Sequence, residues 1–224
     1  MSNYKTVFFI LGVLQIILGL SMIVPIIAQF YYNQVDSGFI GSGLVSIIFG
    51  VLFFLSNLDY EKKLTLPQAF LLTALSWLSI AIFGSLPFVF SDLSLSFTNA
   101  FFESMSGITT TGSTILTNLN ETPKAILLWR AMLQWLGGIG IIVMAITLMP
   151  IMNIGGMQLF VISNTHTPEK ILPKSKEISI RLIVIYSSVT LVCAFFYKIF
   201  GMSFFDSIVP VSYTHLRAHE TLTD

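Results

Sequence analysis

Charge is almost absent from long stretches of this chain. Residues 6–35, 37–58, 64–91, 131–168 and 182–197 contain no Asp, Glu, Lys or Arg, and they are mostly apolar. A helix that crosses a bilayer needs roughly 20 mostly apolar residues, and four of these five runs exceed that length. The fifth is shorter, but Arg181 and Lys198 flank it and can snorkel to the interface. Composition agrees: 10% of the residues are charged, against about 25% in a soluble domain. The pattern predicts an all-α integral membrane protein and excludes a soluble enzyme. Lys+Arg and Asp+Glu number 11 each, so no basic surface for nucleic acid is implied. A single cysteine, Cys193, rules out a disulfide framework within the chain. The first apolar run outlasts a signal-peptide core and has no small-residue cleavage site, so it reads as a span.

Helices are expected over 6–30, 38–57, 67–90, 124–149 and 178–200. Pro67 suits a first helical turn. Pro25 and Pro87 lie near helix ends, and Pro150 with Gly155-Gly156 supplies a stop. Orientation follows from Lys and Arg. Lys5, Lys62, Lys63, Lys170, Lys174, Lys176 and Arg181 share one side, with Lys124, Lys198 and Arg130 opposite. The N-terminus and the loops 58–66 and 151–177 are therefore expected to be cytoplasmic.

Residues 91–123 do not fit a simple pattern of crossings. The apolar stretch 97–106 would rise only about 15 Å as a helix, half the roughly 30 Å hydrocarbon core. The polar stretch 109–114 that follows would climb back about 20 Å if extended. The pair describes a re-entrant loop. Extended backbone at membrane depth is tolerated only where protein buries it or where it lines an aqueous path. Its carbonyls, beside threonine hydroxyls, can replace the water shell of a dehydrated cation. Thr109, Thr110, Thr111, Gly112 and Ser113 are thus the candidate selectivity filter, with potassium held at Thr110, Thr111 and Gly112. Glycine at 112 permits angles that could turn its carbonyl to an axis. No acid lies in this segment, which favours a monovalent cation, and carbonyl-built filters favour potassium over sodium. A wet exterior loop is the plainer alternative, but such a loop has no need of Phe97, Phe101 and Phe102.

The stretch Phe101-Phe102-Glu103-Ser104-Met105-Ser106-Gly107-Ile108-Thr109-Thr110-Thr111-Gly112-Ser113 is followed by Trp129-Arg130-Ala131-Met132-Leu133-Gln134-Trp135-Leu136-Gly137-Gly138-Ile139-Gly140. Together they resemble the TrkH/Ktr family of potassium-uptake proteins. Pro150, Gly155-Gly156-Met157-Gln158-Leu159 and the two leading helices are similar to its TrkH branch. The resemblance covers about residues 1–210. It implies four helix–pore loop–helix units around one axis, a homodimer, a TrkA-like cytoplasmic nucleotide-binding regulatory subunit, and residence in the bacterial cytoplasmic membrane. Potassium would be the transported ligand, with no covalently bound cofactor and no enzymatic activity.

The expected organisation is a two-helix membrane hairpin over 1–63, a first pore unit over 64–150, a cytoplasmic loop over 151–177, and the start of a second unit over 178–210. Ser96-Phe97-Thr98-Asn99-Ala100-Phe101 parallels Ser203-Phe204-Phe205-Asp206-Ser207-Ile208 at an offset of 107 residues. Carried forward, that offset puts Leu216 and His219 where Thr109 and Gly112 should recur. The tail 211–224 is therefore expected to be non-native, resembling adapter-derived read-through, and the chain to be an N-terminal fragment. His215 and His219 lie four apart, but no Glu follows the first, so the zinc-helix pattern is absent.

Glu103 lies at membrane depth, where an ionisable group is costly and functional. It is expected to support the filter rather than bind the ion. Arg130 is expected to reach the outer interface, with an acid of a neighbouring unit as its alternative partner. Gly137-Gly138-Ile139-Gly140 lies inside a span, so it reads as close helix packing, not a dinucleotide loop. A pore-free membrane scaffold is the rival reading, and it leaves the half-length helix and its polar return without a purpose.

Overall fold

The computed structural model describes residues 4–34, 36–60, 64–93, 95–117, 121–152 and 171–202. Every regular element among them is an α-helix: α1 (Lys5–Ser21), α2 (Ile23–Tyr31), α3 (Gly38–Ser56), α4 (Leu66–Phe90), α5 (Phe97–Ile108), α6 (Lys124–Met152) and α7 (Ile171–Ile199). Five stretches are long and apolar enough to cross a membrane: Lys5–Tyr31, Gly38–Ser56, Leu66–Phe90, Lys124–Ile142 and Glu177–Ile199. Most of the expected loop 151–177, Lys62, Lys63, His166, the hexamer 203–208 and the tail 211–224 lie outside the described residues.

Three boundaries differ from the sequence expectation, and prolines account for them. The first span is broken at Met22, between α1 and α2. Pro25 has no N–H for the carbonyl of Ser21, four residues earlier, so the break falls one turn upstream of the proline. The hydroxyl of Ser21 turns back onto the carbonyl of Leu18 at 2.7 Å. Conversely, α6 runs through Pro150 to Met152, so that proline does not end it. α7 starts at Ile171, seven residues early, because Pro173 falls in its first turn, where no donor is lost.

α1 and α3 pack antiparallel through glycines. A Cβ on Gly12 would stand 2.8 Å from the Gly50 carbonyl, and one on Gly50 would stand 2.9 Å from the Gly12 carbonyl. Gly19 and Gly43 face each other in the same way, with a Cβ on Gly19 only 3.0 Å from the Gly43 carbonyl. Backbones this close gain dispersion contact that bulkier residues would prevent, a usual solution where no hydrophobic drive separates helix from lipid. α4 begins with a capping box: the Thr65 N–H donates to Gln68 Oε1 at 2.9 Å, which satisfies one orphan donor of the helix start.

The core is drawn from α1, α3, α4, α5 and α6 around Trp129. That indole is fully buried. Its N–H donates to the Gly84 carbonyl at 2.9 Å, and Phe39 meets the ring edge-on at 6.2 Å, a favoured aromatic geometry. α7 stands outside this core. Its touch on α6 includes Trp135, whose indole donates to Thr190 Oγ1 at 3.2 Å, and none of its span is buried within the chain.

Candidate functional site

α5 is amphipathic in the inverted sense. Glu103, Ser104, Ser106 and Gly107 are buried, while Phe97 and Phe102 are 54% and 45% exposed. A helix with this pattern is soluble in an apolar medium and sequesters its polar face in protein. Its 12 residues span about 18 Å at 1.5 Å per residue. Ser96 caps its start by accepting from the Asn99 N–H at 3.4 Å.

The end of α5 is closed by a double hydrogen bond. The Thr111 N–H donates to the Ser106 carbonyl at 3.0 Å and the Thr110 N–H to the Gly107 carbonyl at 2.9 Å. This is the Schellman pattern, whose left-handed position is usually glycine. Here it is Thr110, at φ 56°. A β-branched residue with positive φ is a steric outlier, and such strain gathers at functional positions. Thr109 tightens the turn further, its hydroxyl donating to the Met105 carbonyl at 2.7 Å and lying 2.8 Å from the Thr111 hydroxyl.

From there the chain doubles back along α5. The Ser106 hydroxyl donates to the Ser113 carbonyl at 2.6 Å. Thr114 and the Ile115 N–H donate to the Glu103 carboxylate at 3.0 and 3.1 Å. Rising residue numbers on the return meet falling numbers on the helix, so the segment enters and leaves on the same side. That is the re-entrant geometry expected from the arithmetic of half-helix and strand.

Glu103 is the centre of the arrangement. It is 0% exposed, and Arg130 Nε of α6 pairs with its Oε1. Arg130 also donates through Nη2 to the Gly112 carbonyl at 2.9 Å. Each partner of a buried ion pair needs further hydrogen bonds to offset its desolvation, and here those bonds fall on the returning segment. One pair therefore ties α5, the return and α6 together. Arg130 does not reach an outer interface: it is 6% exposed and finds its acid in its own unit. Nearness in space, not in sequence, overturned the interface reading.

The pair also divides the five candidate residues. Gly112 has φ 83°, a conformation glycine adopts without penalty. Its carbonyl, expected at an axis, lies against Arg130, and that of Ser113 accepts from Ser106. Among the described residues no donor reaches the carbonyls of Thr109, Thr110 or Thr111. The side chains of Thr111 and Ser113 are exposed, those of Thr109 and Thr110 half-buried, and Gly112 is buried. The residues missed at the sequence level are Arg130 as the partner of Glu103, and Thr114 and Ile115 as donors to it. Two opposite charges at membrane depth in an otherwise apolar unit were the available signal.

α6 presses on the same turn from below. A Cβ on Gly137 would overlap the Ile108 carbonyl, and one on Gly107 would come within 3.2 Å of Leu133 Cβ. Gly137 of this span thus serves helix packing, whereas a Cβ on Gly140 would meet nothing within 4 Å. Among the described residues no cluster of three or more His, Cys, Asp or Glu could hold a metal ion.

Five membrane-length helices and a half-length helix with a braced polar return define a polytopic membrane protein with a pore-loop unit. Comparison with known proteins gives the family. The model described as "TrkH: Cation transport protein" matches residues 5–212, and the chain belongs to that family. The Trk system potassium uptake protein TrkH of Escherichia coli K12 is 37% identical over 210 residues, covering 92% of this chain and 44% of that protein. The Trk system potassium uptake protein TrkI of Halomonas elongata is 38% identical over 201 residues, covering 89% of this chain and 41% of that protein. The crystal structure of the potassium transporter TrkH from Vibrio parahaemolyticus superposes with a TM-score of 0.82 at 33% identity, covering 94% of this chain and 42% of that one. The chain therefore spans about two-fifths of the length of these relatives.

Proposed function

We propose that this chain contributes one wall of a potassium-conducting pore, and that the cation passes along Thr109, Thr110 and Thr111. One observation carries the reading: three successive carbonyls that no donor among the described residues reaches, on a segment whose other side is held by a buried ion pair. Rigid backing and free oxygens in front are what a site needs to replace a hydration shell at low reorganisation cost. The second lone pair of the Gly112 carbonyl leaves it able to complete the cage from behind, with Ser113 at its outer rim. Potassium is favoured because relatives of this chain carry potassium uptake in their names and the segment holds no acid for a divalent ion.

A single loop builds a quarter of a fourfold pore, so the complete pathway needs three more such units. Membership of a Trk system supports a cytoplasmic regulatory partner, for which we infer a TrkA-like nucleotide-binding subunit, and a homodimer of the complete protein. The expected setting is the bacterial cytoplasmic membrane with the N-terminus inside. Movement of the ion needs no chemistry at the site and no bound cofactor.

Thr110 supplies the test. Left-handed backbone costs an ordinary residue roughly 1–2 kcal/mol, and glycine would remove that cost. In a full-length protein carrying this segment, Thr110→Gly is expected to raise the melting temperature while potassium uptake or its preference over sodium falls at least about tenfold. A variant more stable and equally selective would sink the filter reading and leave the scaffold reading standing.

A further inference from the structure

Gln134 is 0% exposed, and neither its Nε2 nor its Oε1 has a hydrogen-bond partner among the described residues. Its sequence neighbours Leu133 and Trp135 are apolar, and leucine or methionine of similar volume would fill the place without stranding an amide. A buried polar group kept at that cost calls for a reason. Position on α6 supplies one. Arg130, Gln134 and Gly137 are spaced four and three residues apart, so they form one stripe of the helix. Both neighbours in that stripe serve the pore loop: Arg130 holds Glu103 and the Gly112 carbonyl, and Gly137 lies against the Ile108 carbonyl. Side chains on a helix lean toward its N-terminus, which carries the Gln134 amide from its own level toward that of Arg130. The carbonyls in this zone that lack donors among the described residues belong to Ile108, Thr109, Thr110 and Thr111.

We propose that Gln134 is a second positioning residue of the filter. Its amide donates to the carbonyl run 108–111 from behind through one buried water, and so holds the inner end of the segment as Arg130 holds the outer end. The inference rests on the filter reading given above. It separates the loop into two independently braced halves: an ionic brace at Gly112 and a neutral brace at the turn.

The test uses a full-length protein carrying this segment, reconstituted in vesicles, with potassium, rubidium and sodium fluxes and melting temperature measured together. Gln134→Leu removes the amide at nearly constant volume, and Gln134→Asn keeps an uncharged amide donor at the same place on the helix. The expected result is an unchanged or higher melting temperature for Gln134→Leu with a fall in potassium-over-sodium preference of about tenfold, the scale of one buried hydrogen bond. Gln134→Asn should recover the preference to within about threefold by the same scale. Wild-type selectivity in Gln134→Leu would overturn the proposal, as would a loss of selectivity that tracks a loss of melting temperature in both variants. Thr110→Gly serves as the control: if it too is fully selective, the filter reading has failed, whereas selectivity lost there and kept in Gln134→Leu overturns only this inference.

Discussion

The seam between α1 and α3 and the seam between α5 and α6 lie in one helical molecule and are held by different physics. Between α1 and α3 the seam is made by glycines and aromatic rings: Gly12 meets Gly50 and Gly19 meets Gly43, backbone against backbone, with Phe8 on Phe53 and Phe9 on Phe54 alongside. Between α5 and α6 stands a buried ion pair with a polar strand folded into it. The first seam is non-directional, and its strength comes from contact area and the absence of Cβ atoms. The second is directional, and it fixes which oxygens point where. A wall that only has to stay assembled can be built the first way. A surface that has to present carbonyls in register, as the proposed filter does, requires the second.

Breaking the polar seam is expected to have the largest effect. Glu103→Gln leaves Arg130 charged and buried, and severing one half of such a pair costs about 3–5 kcal/mol. Folded protein recovered from the membrane should drop sharply, with transport lost in what remains. Adding Arg130→Gln should restore part of the melting temperature, since a neutral pair has no stranded charge, but not the selectivity, because nothing then anchors the Gly112 carbonyl. Selectivity restored along with stability would show that the pair is structural only.

The glycine seam should respond in the opposite sense. A Cβ on Gly12 would stand 2.6 Å from the backbone N of Phe54 and 2.8 Å from the Gly50 carbonyl, and neither atom can move as a side chain does. Gly12→Val is therefore expected to lose about 1–3 kcal/mol by overpacking, read as a lower melting temperature at unaltered ion preference. Gly137→Ala sharpens the comparison because its Cβ would strike the Ile108 carbonyl beside the proposed filter. A similar loss of about 1–3 kcal/mol should there be accompanied by weaker selectivity. If Gly12→Val and Gly137→Ala behave alike in ion preference, the distinction between the two seams fails.

A smaller effect belongs to the clamp that joins the leading helices to the pore unit. Lys124 Nζ sits 4.3 Å from the centre of the Tyr32 ring, and the Lys124 N–H donates to Gln34 Oε1 at 3.1 Å. Lys124→Met keeps the backbone bond and removes a cation–π contact worth about 0.5–1 kcal/mol at an exposed site, so thermal unfolding should shift by a few degrees at most. Least affected should be Gly140→Ala, where a Cβ meets nothing within 4 Å and a helix interior gains about 0.5–1 kcal/mol from alanine. A cost there would mean that another unit packs on that face in the complete protein.

Much of the fold was legible because charge is so costly in a bilayer that its absence marks the spans directly. The half-length α5 was legible for a related reason, since the run 97–106 is too short to cross and too apolar to stay outside. What the pattern left open was where each helix bends. Proline acts on a carbonyl four residues away, so Pro25 breaks the first span at Met22 while Pro150 sits inside α6. At the site, Thr109, Thr110, Thr111, Gly112 and Ser113 stood out as a polar, glycine-bearing return. Their division into free and anchored carbonyls did not, because it depends on Arg130, a residue 18 positions from Gly112.

Sequence by itself determined that this chain lives in a membrane, that one segment enters and turns back, and which residue types that segment offers. Periodicity and charge are local properties, and the bilayer reads them locally. Only the tertiary structure decided that Arg130 faces inward to Glu103, that Thr110 carries the strained position of the turn, and that the Gly112 carbonyl is held from behind. Those outcomes depend on α5, its return and α6 meeting at one point, where a buried charge must find its partner or remain unpaired.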